Sequence, residues 1–306
     1  MLSISTSFTA VVTTIVTLFI SASASAFTIE DDRSNHTFDQ TPSRVVSLNW
    51  DLTEQVIELG ITPVGATEIQ SYNEWVMQPP IPDQVKDVGT RAEPNLERIA
   101  ALAPDVILAT ANQADIIPAL EKIAPVVYLE NYTANDNAGE VAIQQFLLLG
   151  KLFDKSELAN QKLTVLEKEF AKLKTQLTQA FGSDLPNVLP VRLSDESSVF
   201  LFTENSTSDY VLKRLGLTNP IPLPAAQWGG TQKRIDVLKD VTNGYVLSIQ
   251  PFPYWDKLNR SYLWKAMPFV REQRINSVDP VWSYGGAMSL KYLAEGYTQS
   301  LLELAE

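Results

Sequence analysis

From Val88 to Thr110 the chain reads VGTRAEPNLERIAALAPDVILAT, a polar turn, a short helix and an apolar strand in immediate succession. Leu96, Ile99, Ala100 and Leu102 recur at helical spacing, Pro104 stops the helix, and Val106 to Leu108 form a short continuous apolar run. The same device returns near the other end. Arg234-Ile235-Asp236-Val237-Leu238-Lys239-Asp240 precedes the apolar run Gly244-Tyr245-Val246-Leu247-Ser248. Glu97 and Asp236 stand at equivalent places in the two copies. A helix-then-strand unit used twice commits the chain to an α/β fold of two similar lobes.

The remaining elements fill in around these copies. Arg44 to Leu48 reads as a buried strand, and Asp51 to Leu59 as a helix closed by Gly60. Pro63 to Ala66 begins another strand, Ile116 to Ile123 a helix, and Pro125 to Leu129 a further strand. Continuous apolar strands alternating with helices imply a mostly parallel sheet covered on both faces. Over 139–180 the pattern changes: Val141, Ile143, Phe146, Leu149, Leu152, Leu163, Leu166, Phe170, Leu173 and Leu177 recur at helical spacing with Lys and Glu between them. This reads as one long helix, bent near Asp154, that joins lobe 27–138 to lobe 181–306 as a stiff spine. Such a spine resists large closures.

The first 26 residues carry no charged side chain, and an apolar run with interspersed threonines, Ala10 to Ile20, leads into Ser21-Ala22-Ser23-Ala24-Ser25-Ala26. The run is short for a bilayer span, and Ala24-Ser25-Ala26 is a small-x-small cleavage site, so 1–26 is expected to be a secretory signal removed after Ala26. With no cysteine, disulfides and thiol-anchored lipids are excluded. The formal net charge of −12 opposes nucleic acid and anionic membrane surfaces as partners. A soluble monomer in the periplasm is the expectation.

The inventory of reactive groups is thin. The one histidine, His36, lies in the polar leader and is expected at the surface, so His-based nucleophilic catalysis is excluded. No metal site of protein ligands is expected from such a set. The pairs Asp31-Asp32 and Asp195-Glu196 read as solvated loop carboxylates. More suggestive are Trp75, Trp228, Trp282 and Tyr284, all in turn-like contexts where loops after the strand ends surround a ligand crevice. Core packing beneath the loops is the competing account for each. Arg91, in the loop before the Leu96 helix, has the chemistry to hydrogen-bond an oxygen-rich ligand.

Taken together, RVVSLNWDLTEQVIELGITPVG, EWVMQPPIPDQVKDVGTRAEPNLERIAALAPD, QWGGTQKRIDVL, WKAMPFVREQR and PVWSYGGAMS resemble the ferric hydroxamate siderophore-binding proteins of ABC importers. These belong to the class III substrate-binding proteins, in which a single helix joins two Rossmann-like lobes. The resemblance implies a non-enzymatic receptor that needs no cofactor, because iron arrives already chelated by the siderophore. It places the hydroxamate-contacting arginine on Arg91 and the pocket aromatics on Trp75, Trp228, Trp282 and Tyr284, with Trp50 a weaker candidate. It places the acidic residues that dock each lobe onto the inner-membrane permease on Glu97 and Asp236, with Glu54 a lesser alternative on the first lobe.

The chain also departs from the family. A pocket tyrosine falls near Asn112 or Gln113, a tryptophan near Ala109, and a serine on Gly230. These losses imply a wider pocket, one hydrogen bond short. Two other readings stay open: a receptor of the same fold for another iron chelate, haem or cobalamin, and, more remotely, an exported hydrolase working through carboxylates.

Overall fold

The computed structural model describes residues 26–130 and 132–305. The expected signal segment lies outside the described residues apart from Ala26. Among the described residues no helix is long and apolar enough to cross a membrane.

The described residues open with a hairpin, β1 (Phe27–Glu30) and β2 (Asn35–Phe38), where only a polar leader was expected. Asp31 explains it. Its carboxylate accepts from the backbone N–H of Arg33 and Ser34 in the turn and from Tyr128 N–H of the first lobe, and it pairs with His36 at 2.7 Å. Asp31 is therefore buried rather than solvated, and His36 half-buried rather than exposed. Burial, the largest single effect, pushes the carboxyl up, but the three backbone hydrogen bonds and His36 together outweigh it and hold the group below its usual range.

The first lobe contains β3 (Val45–Ser47), α1 (Trp50–Glu58), β4 (Gly65–Ala66), α2 (Ile69–Trp75), β5 (Lys86–Asp87), α3 (Leu96–Ala101), β6 (Val106–Ala109), α4 (Ile117–Leu120) and β7 (Val126–Tyr128). Its sheet, ordered β5-β4-β3-β6-β7, is parallel throughout. The helical connection follows as α5 (Ala138–Leu152) and α6 (Ser156–Phe181). The expected bend is a break at Phe153–Lys155, where Asp154 takes a left-handed φ of 53°. Gly150 lets the two helices close: a Cβ there would come 2.9 Å from that of Ala159.

The second lobe contains β8 (Val188–Leu193), β9 (Ser198–Phe202), α7 (Thr207–Leu215), β10 (Gly230–Arg234), β11 (Tyr245–Ile249), α8 (Trp255–Leu258), α9 (Tyr262–Ala266), α10 (Pro268–Arg271), β12 (Ile275–Val278) and α11 (Ala287–Ala305). Its sheet runs β10-β9-β8-β11-β12, with β8, β11 and β12 paired parallel and β9 antiparallel to both its neighbours, β8 and β10. Four of its five strands run in one direction, so the mostly parallel expectation holds, with β9 the one reversed strand. The local cause is the Ser194–Ser197 turn, where Asp195 accepts from Ser197 N–H at 2.7 Å and reverses the chain into a hairpin. β6 and β11 occupy the same fourth position in their sheets, so the repeated device of the sequence is a repeated position in space.

Each lobe has an apolar cluster of its own, around Ile99 and Ile107 in the first and around Leu201 and Phe269 in the second, and a larger cluster runs through both. One continuous core takes Val45 and Leu52 from the first, Phe146 and Leu149 from α5, Leu166 and Phe170 from α6, and Leu247 and Leu290 from the second. Across this core Glu54 of α1 reaches the start of α11. Its carboxylate accepts from Ser289 N–H at 2.8 Å, Ser289 Oγ at 2.6 Å and Gly286 N–H at 3.3 Å. The two backbone N–H groups have no partner inside the helix, so the acid caps it. Glycine is required at 285 and 286: a Cβ at the first would lie 2.7 Å from Glu54 Oε2, and at the second 2.2 Å from Gln55 Cγ. One turn along, Glu58 accepts from Lys162 of α6 and Tyr292 of α11.

Glu54 is fully buried, which removes it as a docking residue. Burial pushes its carboxyl up to about 8, with Glu58 adding repulsion and the Ser289 and Gly286 hydrogen bonds opposing. Because this value lies above the 4.5 of an unperturbed glutamate, the folded state holds more protons between pH 4.5 and 8, and this group's contribution to stability falls as pH rises through that window. Urea unfolding of the wild type and Glu54→Gln at pH 5 and pH 8 tests it. The stability of the wild type relative to the variant is expected to decline by up to about 1.4 kcal/mol per pH unit. A pH-independent difference between the two proteins would refute the raised value.

Candidate functional site

The carboxyl ends of β3, β6 and β8 point their following loops into one cleft between the lobes. Asn49 sits at the turn out of β3, caps α1 by accepting from Trp50 N–H, and donates to Thr110 Oγ1 at 2.9 Å. That bond ties the β3 loop to the β6 loop, fixing the floor of the first-lobe wall. Trp50 follows immediately. It is buried, its indole N–H donates to Thr67 O at 3.2 Å, and it meets Trp282 edge-on at 4.8 Å. Trp50 thus supports the wall from behind.

Arg91 lies over Trp50, its guanidinium carbon 3.7 Å from the ring centroid, with Trp282 at 5.5 Å. Glu68 takes its Nε at 2.7 Å and its backbone N–H at 3.1 Å. The stack and the ion pair hold the guanidinium plane while its Nη end remains available to the cleft. Gln113 completes the support: it is buried and donates through Nε2 to Arg91 O and Leu48 O. The residue standing where a tyrosine was expected is thus a brace for the arginine loop, and Asn112 beside it lines the cavity.

Tyr132, which sequence reasoning missed, puts a phenol into the pocket that was expected to be one hydrogen bond short. It is buried, lies 5.0 Å edge-on to Tyr284, and lines the same cavity. Its signal in the sequence was only its place after β7, the last strand of the lobe. Burial pushes the Tyr284 phenol up to about 12 and that of Tyr132 higher, so both remain protonated hydrogen-bond donors.

The second lobe contributes Trp228, Trp282 and Tyr284. Trp228 is 45% exposed and adopts a left-handed φ of 67°, a conformation that costs a large side chain about 1–2 kcal/mol and sets its ring at the cavity edge. At Gly230 a Cβ would lie 2.2 Å from Phe200 Cε1, so the serine expected there has no room. Trp282 and Tyr284 pack at 5.3 Å and separate two chambers. The first, about 190 Å³, is lined by Arg91, Asn112, Tyr132 and Trp228. The second, about 480 Å³, is lined by Trp75, Arg192, Phe200 and Tyr254. Trp75 therefore faces the second chamber rather than the first.

Arg192, a second basic residue that the sequence did not single out, is buried and donates to Ser283 Oγ, Gln250 O and Val281 O. These bonds grip the chain on both sides of Trp282. Glu97 and Asp236 stand away from both cavity linings. Glu97 is exposed in the first turn of α3, capped by Asn95, and Asp236 begins a 3-10 turn beside Arg234 at 3.4 Å. Among the described residues no group of three or more His, Cys, Asp or Glu side chains is placed to hold a metal ion.

The family model described as periplasmic binding protein matches residues 45–281. The chain belongs to this family. It is 31% identical to the iron(3+)-hydroxamate-binding protein FhuD of Escherichia coli (strain K12), over 81% of this chain and 83% of that protein. It is 27% identical to the Fe(3+) dicitrate-binding periplasmic protein FecB of the same organism, over 86% and 85%. Among solved structures, the siderophore-binding protein FhuD of Vibrio cholerae, crystallised with Fe3+-Desferal, matches with a TM-score of 0.85 and 55% identity over 86% of this chain and 99% of that one. The two-lobed α/β architecture joined by a long helical connection is the fold these relatives share.

Proposed function

We propose that this periplasmic binding protein captures ferric hydroxamate siderophores between its lobes and delivers them to an inner-membrane ABC permease. The observation that carries this is Arg91, clamped by Glu68 and stacked on Trp50 at the edge of a cavity walled by Trp228, Trp282, Tyr132 and Tyr284. A ferric hydroxamate presents oxygen atoms around the metal and apolar arms outside them. Aromatic walls exclude water from the arms, and the Nη groups of Arg91 with the phenols of Tyr132 and Tyr284 donate to the oxygens. The similarity to a protein solved with Fe3+-Desferal supports the same ligand class.

On this reading iron enters already chelated, so the protein needs neither cofactor nor metal ligands and turns nothing over. Export with cleavage after Ala26 releases it into the periplasm. The shared core and the Glu54 cap keep the two lobes in one arrangement, so closure on the ligand is small. Glu97 and Asp236, at equivalent positions of the two lobes, present one carboxylate each to basic residues of the permease.

Titration of the mature protein with ferrioxamine, ferrichrome, a ferric catecholate, haemin and cobalamin, followed by tryptophan fluorescence, is expected to give micromolar or tighter binding for a ferric hydroxamate. If none of the hydroxamates binds and another chelate does, the ligand class is wrong. Arg91→Ala is expected to weaken hydroxamate binding at least about tenfold, about 1.4 kcal/mol, as expected for a lost charge-assisted hydrogen bond. The double variant Glu97→Arg with Asp236→Arg should bind normally yet fail to support uptake. Intact siderophore-dependent growth of cells carrying it would remove the docking assignment.

A further inference from the structure

The second chamber contains a charge that no residue around it balances. Arg192 is only 8% exposed. Its acceptors, Ser283 Oγ at 2.9 Å, Gln250 O at 3.3 Å and Val281 O, are all neutral. Among the described residues no Asp or Glu forms an ion pair with it, whereas Arg91, Arg214 and Arg274 pair with Glu68, Glu167 and Glu272. Desolvation lowers its guanidinium to about 10, which leaves it cationic at neutral pH. The rings of Trp75 and Trp282, at 5.4 and 5.6 Å, offer only the attraction of their quadrupoles.

A buried cation without a counter-charge is a standing cost to the folded protein, and an arriving anion relieves it. The chamber suits one borne on a chain. Leu193, Phe200, Pro251 and Pro253 make apolar walls, Ser194 adds a hydroxyl, and no carboxylate lines the space. Three of the five N–H groups of the guanidinium are used by its neutral acceptors, which leaves donors for a carboxylate oxygen.

We infer that the second chamber is a subsite for an anionic arm of the ligand, a carboxylate at the end of an aliphatic or aryl chain, with Arg192 as its counter-ion. This deepens the ferric hydroxamate reading and rests on it. The iron core occupies the first chamber against Arg91, and the arm passes Trp282 and Tyr284, which line both chambers. A purely structural Arg192, gripping the Trp282 loop and nothing else, would treat charged and neutral arms alike.

The test compares N-succinyl ferrioxamine B with its methyl ester, which share the iron core and the arm and differ by one charge. With the wild-type protein at pH 7 the acid is expected to bind at least about tenfold more tightly than the ester. In Arg192→Met that ratio should fall to within about twofold of unity, whatever the absolute affinities. If this variant does not fold, the wild-type ratio measured near pH 4 and below replaces it, and it should approach unity as the succinyl carboxylate takes up its proton. Equal wild-type affinities at pH 7, or a preference that persists in the variant or with the carboxylate protonated, would overturn the subsite. Failure of both compounds to bind would overturn the hydroxamate reading as well.

Discussion

The carboxylate of Glu54, buried between α1 and the first turn of α11, is the contact on which the geometry of the cleft depends. A helix start leaves backbone N–H groups without partners, and placing one inside a protein obliges another element to satisfy them. Here the acid comes from the opposite lobe. The two lobes are therefore joined by a polar joint within a shared apolar core as well as by covalent helix. The loop that precedes α11 carries Trp282 and Tyr284, so the capped helix also sets where the second-lobe aromatics stand relative to Trp50 and Arg91.

Charge is managed differently on the two sides of that aromatic divide. Arg91 is neutralised by Glu68 and flattened against Trp50, which fixes its direction and leaves a hydrogen-bond donor more than a free charge. Arg192 has no acid beside it and is braced by carbonyls and a hydroxyl. In a desolvated space a paired and an unpaired guanidinium present different potentials to a ligand, although their chemistry is the same.

Much of this was legible in the chain. The repeated helix-then-strand device became two strands at matching positions of two sheets, because short apolar runs bounded by turns have few other places to go in an α/β fold. Trp228, Trp282 and Tyr284 were read as loop aromatics and do line the cleft. Tyr132 and Arg192 escaped notice for the same reason: each looks ordinary in its own segment, one after a strand and the other within one. The Asp31 turn and the antiparallel β9 were hidden because a side chain accepting backbone N–H groups has no periodic signature. Gln113 looked like an absence, a missing tyrosine, until its amide was seen to brace the Arg91 loop.

By itself the sequence determined the class of fold, the two-lobed plan, the aromatic character of the loops and the lack of histidine or cysteine chemistry, since periodicity and composition act locally. Tertiary structure alone decided which charges are partnered. Glu54 looked like a surface acid and is a buried cap. Arg192, within β8, is a cation without a counter-charge, while Trp75 lines its chamber and also a groove shared with Arg91. Desolvation and pairing depend on what the rest of the chain places within a few ångströms, and no local pattern encodes that.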